Sequence, residues 1–190
     1  MEISSIDGFL DYFRSVRRRT RAVAACVPDE HLEWRAGPDR FSAGDLIRHL
    51  AGTERWMWAE NARLRPSRYP GHGPELAAGR EAVLDYFDRL HEESVDLLST
   101  LSPDDLNARC TTVGGAEMRV WKWLRLMVEH EIHHRGQLYD ILAALGVEAP
   151  PLYGLTEPEV RARSSPGDVS PRRCVAAGAP AARCPRSRRS

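Results

Sequence analysis

Four stretches of the chain repeat apolar residues with the 3.6-residue period of a helix packed on one side. The first, about Ser5 to Val27, lines up Phe9, Tyr12, Val16, Thr20, Val23 and Val27 and leaves its arginines off that stripe; Pro28 ends it. Ser42 opens the second as an N-cap, with Asp45 at the third helical position in a variant of the capping box. This helix is expected to run to about Arg63 with Leu46, His49, Thr53 and Trp56 on one face. The third, near Glu75 to Leu101, aligns Val83, Phe87, Leu90, His91, Ser94, Leu98 and Leu101. Ser102-Pro103-Asp104-Asp105 predicts a short helical turn with proline at its first position, ahead of a break at Gly114-Gly115. The fourth helix is expected over Glu117 to Leu145, stopping at Gly146. Beyond it, Pro150 to Leu155 should lie extended and bury Leu152, Tyr153 and Leu155, and Thr156 with Glu159 should cap a last short helix.

Four amphipathic helices in one chain of 190 residues predict an all-α four-helix bundle with short extra helical turns, a single domain over residues 1–163. From Ser164 onward the chain has no Ile, Leu, Met, Phe, Tyr or Trp, so it cannot offset its ordering entropy by burial. Residues 164–190 therefore read as a disordered Arg/Pro/Ala-rich tail. The net charge of zero conceals an asymmetry, because that tail holds six arginines against one aspartate and leaves the preceding body at minus five. A mildly acidic body lacks the clustered basic stripe of a specific nucleic-acid surface. The longest apolar run, Ala22 to Val27, is far short of a membrane span, and the N-terminus lacks a signal peptide's apolar core. Cys26, Cys110, Cys174 and Cys184 show no C-x-x-C and no disulfide framework, which fits a reducing, cytoplasmic setting.

The chemistry is concentrated in E-H-E-I-H-H-R-G-Q, Glu129 to Gln137. His130 and His134 are one helical turn apart and share a line with Trp123, Met127, Leu138, Ile141 and Leu145, so both imidazoles face inward, close enough to share one metal ion. His133 falls to the flank. A histidine-rich core turn with ordinary hydrogen bonds would show the same spacing. His49 and His91 also fall on core faces, whereas His31 and His72 read as solvated.

Three separated segments carry a resemblance: Ser42 with Leu46-Ile47-Arg48-His49-Leu50, then H-E-I-H-H-R-G-Q, then P-P-L-Y-G-L-T-E-P-E-V. In that order and spacing, residues 5–163 resemble the DinB/YfiT-like family of metal-binding four-helix bundles. The resemblance implies a divalent metal, zinc or nickel, held by His49, His130 and His134. Some relatives carry a carboxylate at the place of His130; here the all-histidine version applies. It further implies transfer of a low-molecular-weight thiol of the bacillithiol or mycothiol kind to an electrophilic small molecule in detoxification or stress response, and a homodimer. Arg135 and Gln137 could orient ligands and Trp56 and Trp123 could wall the pocket, or all four could be structural. A metal-dependent hydrolase or isomerase would use the same three histidines with His91 or Glu60 as base. A non-catalytic metal- or ligand-binding bundle is the remaining alternative.

Overall fold

A computed structural model describes residues 2–164. Its chain divides into two compact units, Met1–Leu152 and Tyr153–Ser190. The first unit holds α1 (Ile6–Ala24), α2 (Ala43–Thr53), a π-helical segment (Glu54–Ala59) that passes into α3 (Glu60–Ala62), α4 (Arg80–Ser99), α5 (Pro103–Asn107), β1 (Arg109–Thr111), β2 (Glu117–Arg119) and α6 (Val120–Ala144). The four predicted helices form the bundle: α1 packs on α4 and α6, and α2 packs on the same two. In the second unit, α7 (Glu157–Ser164) starts where Thr156 Oγ1 and its backbone N–H both donate to Glu159 Oε2. The tail expected to be disordered lies outside the described residues from position 165 onward.

Local chemistry accounts for the helix ends. Ser42 and Asp45 make the reciprocal capping box, at 3.0 and 2.9 Å, and both are fully buried. Ser102 and Asp105 repeat it at α5. α1 stops before Pro28, and Arg80 takes over its exposed end by donating to the carbonyls of Val27 and Ala25. α4 begins at Arg80 rather than at the expected Glu75 because Gly79, at φ +83°, holds the backbone in a conformation that no helix shares. All seven residues aligned on the third predicted helix are buried.

Three expectations are corrected. Tyr12 is 51% exposed, and Phe13 takes its place in the core, so the buried stripe of α1 runs through Phe9, Phe13, Val16, Thr20 and Val23. The fourth helix begins at Val120, since Glu117–Arg119 pair antiparallel with Arg109–Thr111 in a hairpin whose buried Cys110 faces the bundle. Tyr153, expected to be buried, is 82% exposed, and Leu152 and Leu155 are half-buried.

The core has two apolar parts. One gathers Phe9, Phe13, Trp58, Leu98, Trp123, Leu124 and Met127; the other gathers Val23, Leu46, Ile47, Leu50, Phe87, Leu90, Leu138 and Leu142. On each helix a buried polar residue stands between them: Arg17 on α1, Glu54 after α2, His91 on α4, and Glu131 and Arg135 on α6. Arg17 pairs with Glu54 and, at 3.1 Å, with Glu131, while its guanidinium lies 3.9 Å from the Phe87 ring centroid. Glu54 Oε1 is 2.9 Å from His91 Nδ1. The arginines expected off the core face of α1 thus include one that is central to it.

Removing the cation should leave two carboxylates uncompensated in an apolar interior, which typically costs about 3–5 kcal/mol. Arg17→Ala is expected to destabilise the bundle by that amount in urea unfolding, against about 1 kcal/mol for loss of the cap in Ser42→Ala. Equal effects of the two changes would show that the charge layer contributes no more than a helix cap.

Candidate metal centre

Helices α2 and α6 bring His49, His130 and His134 together, as the sequence expectation required. One ring nitrogen from each lies within 4.8 Å of the others, and no other such group of histidines, cysteines and carboxylates occurs among the described residues. His130 Nε2 is 3.1 Å from both His49 Nε2 and His134 Nε2. All three residues are half-buried. On α6 the one-turn spacing sets His130 beside His134 with ring centroids 4.4 Å apart. His133 points outward and is exposed, one step around the helix.

The imidazoles are neutral near neutral pH. Burial, followed by the positive potentials of His134 and His72, pulls His49 from 6.5 down to about 4. Burial and the neighbouring His134, His49 and His133 bring His130 to about 3. His134 is lowered by burial too, against its hydrogen bond to Gln137, which raises it. Each ring therefore offers an unprotonated nitrogen. Gln137 Oε1 stands 2.7 Å from His134 Nδ1 and can only accept, so it places the proton of His134 on Nδ1 and leaves Nε2 as a lone pair facing the centre.

A metal ion fits this donor set. Tetrahedral binding at about 2.0–2.1 Å places ligand nitrogens roughly 3.3–3.4 Å apart, close to the two 3.1 Å separations from His130, and all three nitrogens lie within 4.8 Å of one another. Lone pairs converging at this distance repel one another, and one ring proton cannot lie in line with two acceptors; a cation at the centre resolves both. Three neutral imidazoles suit borderline divalent ions and leave a coordination position open. Beside His134 and Gln137 opens a cleft of about 470 Å³ lined also by Trp34, Phe41, Leu46 and Ile141, with Asp39, Arg40 and Asp140 at its polar parts.

A family model for the DinB superfamily matches residues 12–138, about two thirds of the chain. The chain belongs to the DinB superfamily. Among its DinB relatives, the uncharacterized protein YjoA of Bacillus subtilis (strain 168) is 22% identical over 146 residues, covering 76% of this chain and 93% of that one. A crystal structure of a DinB-like protein from Bacillus cereus ATCC 10987 is similar at a TM-score of 0.66 with 20% identity, covering 78% of this chain and 97% of that chain. The crystal structure of the B. subtilis YjoA protein gives 0.61 with 18% identity, over 78% and 99%. At these identities the likeness carries the DinB fold.

The other residues singled out in the sequence are placed as follows. Gln137 touches the site through His134. Arg135 points instead to α1, donating to the Val16 carbonyl and to Thr20 Oγ1 at 3.3 and 3.5 Å, a structural strut. Trp123 packs tilted against Trp58, with ring centroids 4.0 Å apart, and donates from Nε1 to its carbonyl, and it is Trp58 whose ring reaches His130, at 5.7 Å. Trp56 lies between the guanidinium groups of Arg55 and Arg68. The π-helical segment explains part of this exchange, because its wider turn lags behind the 100° per residue that placed Trp56 in line with His49. His91 is held by Glu54 and packs on Phe13, and Glu60 is paired with Arg55 and Arg65.

Three neighbours were not anticipated. Phe41 lies over the site, with its ring 5.5 Å from that of His49 and 4.5 Å from that of His72. His72, expected to be solvated, is half-buried, and Tyr69 links it to His49. A signal was available: residues 65–78 form a long loop rich in Pro and Gly that nevertheless carries a tyrosine and a histidine, a pattern typical of functional loops.

Single changes of His49, His130 or His134 to alanine are each expected to lower metal affinity by more than about tenfold, since even residues that merely orient ligands contribute 10–100-fold. His133→Ala should retain it. Metal content after dialysis reads both, and equal loss in His133→Ala would return α6 to a plain histidine-rich turn. Metal-free stability should also depend on pH. The unfolded chain takes up protons near 6.5 while folded His49 and His130 resist them until about 4 and about 3, so stability present above 6.5 is lost as pH falls through that window. Urea titrations should show a steeper decline for wild type than for a double variant with glutamine at positions 49 and 130.

Proposed function

We propose that this protein is a metal-dependent thiol S-transferase, joining a low-molecular-weight thiol of the bacillithiol or mycothiol kind to an electrophilic small molecule. The observation that carries this reading is the convergence of three neutral imidazole nitrogens beside an open cleft. His49, His130 and His134 would hold zinc or nickel. The bound ion would supply Lewis acidity that lowers the pKa of a thiol below its free value. Everything else is done by the chain itself. Gln137 keeps the His134 lone pair turned to the centre, while Trp34, Phe41, Leu46 and Ile141 offer the electrophile an apolar wall that excludes water. In the transfer the thiol gives up its proton to solvent, sulfur bonds to the electrophilic carbon, and the leaving group departs with its electron pair.

The protein does not provide the thiol itself among its described residues. Cys110 is buried in the hairpin, where burial raises its pKa, and Cys26 donates to the Ala22 carbonyl on α1. A hydrolase or isomerase working at the same centre would need a free base nearby. Of the two candidates, neutral His91 is buried and hydrogen-bonded to Glu54 through Nδ1, and Glu60 is ion-paired with Arg55 and Arg65, which favours the transfer reading. No helix among the described residues is long and apolar enough to cross a membrane. A soluble homodimer acting in the cytoplasm on small stress-derived electrophiles completes the proposal.

Purified protein loaded with zinc or nickel should consume free thiol in the presence of a chloronitrobenzene, chelation should abolish this, and metal should restore it. The rate should rise with pH through an apparent pKa below that of the free thiol. A profile centred on the free thiol's own pKa would separate metal from thiol; metal retention without thiol consumption would leave a binding bundle.

A further inference from the structure

The loop between α3 and α4 is fastened to α2 at three points, and all three surround His49. Gly52, one turn beyond His49, permits the first: a Cβ there would stand 2.7 Å from Pro70 Cγ, so only glycine lets the loop lie this close to the helix. Arg48, fully buried, makes the other two by donating from Nε to the His72 carbonyl at 2.7 Å and from Nη1 to the Ala77 carbonyl at 3.0 Å. Both Nη atoms also donate to Glu33 at 2.8 Å, and Nη2 reaches Asp45 Oδ1 at 3.3 Å. Gly44 leaves room for that pair, since a Cβ there would meet Glu33 Oε1 at 2.8 Å.

Fastened in this way, the loop delivers a hydrogen-bonded chain to the side of His49 that faces away from the other imidazoles. Tyr69 Oη lies 3.2 Å from His49 Nδ1 and 2.6 Å from His72 Nδ1. The unequal lengths give the chain a direction, because hydroxyl donors make shorter bonds than ring N–H donors. In the direction these lengths favour, the Tyr69 hydroxyl donates to His72 and His49 Nδ1–H donates to Tyr69. His49 then has its proton on Nδ1 and its lone pair on Nε2. The opposite direction would put a proton on His49 Nε2, in the place where a metal would bind.

We propose that Tyr69 and His72 are positioning residues that lock His49 into its metal-binding tautomer, with Arg48 and Gly52 holding them in register. This rests on the reading of the three histidines as a metal site, and it gives His49 the counterpart of what Gln137 does for His134. His49 and His134 are thereby pre-set from opposite elements, a loop and a helix. The orienting partner of a metal-bound histidine commonly fixes its tautomer and raises its basicity.

The test uses the full chain and zinc alone, with a fluorescent chelator as competitor and nitrogen NMR of the metal-free protein to read the His49 tautomer. Tyr69→Phe and His72→Leu are each expected to weaken zinc binding about 10- to 100-fold and to shift His49 from the pure Nδ1–H form to a mixture. His72→Asn, which keeps an acceptor near the position of Nδ1, should restore both. Gly52→Ala should reproduce the loss without touching a ligand, by displacing Pro70. Unchanged zinc affinity in both Tyr69→Phe and His72→Leu would overturn the proposal, as would equal loss in His72→Asn and His72→Leu, which would assign the effect to ring packing on Phe41. Wild-type protein that takes up no zinc would fail the metal reading instead, and the tautomer measurement would still decide the orienting role.

Discussion

A guanidinium buried between two carboxylates is the constraint around which this bundle is arranged. Arg17 is 4% exposed, and burial lowers its pKa while Glu131 and Asp88 support its charge. Charges taken out of water at this depth are tolerated only in close pairs. The pairing partners come from the π-helical segment and from α6, so three elements must stand at one level. A slip of one turn in any of them would strand a carboxylate against Phe13, Phe87 or Met127. The layer separates the two apolar parts of the core and sets the register in which they meet.

The histidine centre follows from the same register. Glu131 turns inward to Arg17, and its neighbours on either side along that helix, His130 and His134, turn toward α2. His49 lies five residues before Glu54 on the adjoining helix, so the same two elements that meet in the ionic layer also carry the histidines that meet in the centre. The ionic layer is charged and closed, whereas the centre is neutral and open to a cleft. These are two different answers to polar burial: charges neutralise one another in the first, and in the second the rings shed their protons.

The wall of the centre is made by the part of the second helical stretch that departs from α geometry. Thr53 Oγ1 donates to the His49 carbonyl at 2.6 Å, and the wide turns of Glu54–Ala59 follow directly. That segment points Glu54 into the ionic layer and lets Trp58 reach His130, while Trp56 remains outside between two arginines. The loop after α3 brings Tyr69 and His72 to the His49 side, so helix, π turn and loop border a centre that stays open to the cleft.

What the sequence determined on its own was everything set by helical period and neighbouring residues. The regular spacing of α4 placed Val83 through Leu101 correctly, the Ser42–Asp45 pair marked a helix start, and the four-residue step from His130 to His134 guaranteed one shared face. That His49 would meet them was legible only through resemblance to a family, since periodicity says which side of a helix faces the core and not which residue lies opposite. Three-residue strands have no period to read, which hid the hairpin. Arg17 looked like a surface residue because its burial depends on partners supplied by two other elements. Tyr69 and His72 sit in a loop with no repeat, and their place is decided by Gly52 admitting Pro70 and by Arg48 holding the carbonyls of His72 and Ala77. Close approach between distant segments is a property of packing, and only the tertiary structure could decide it.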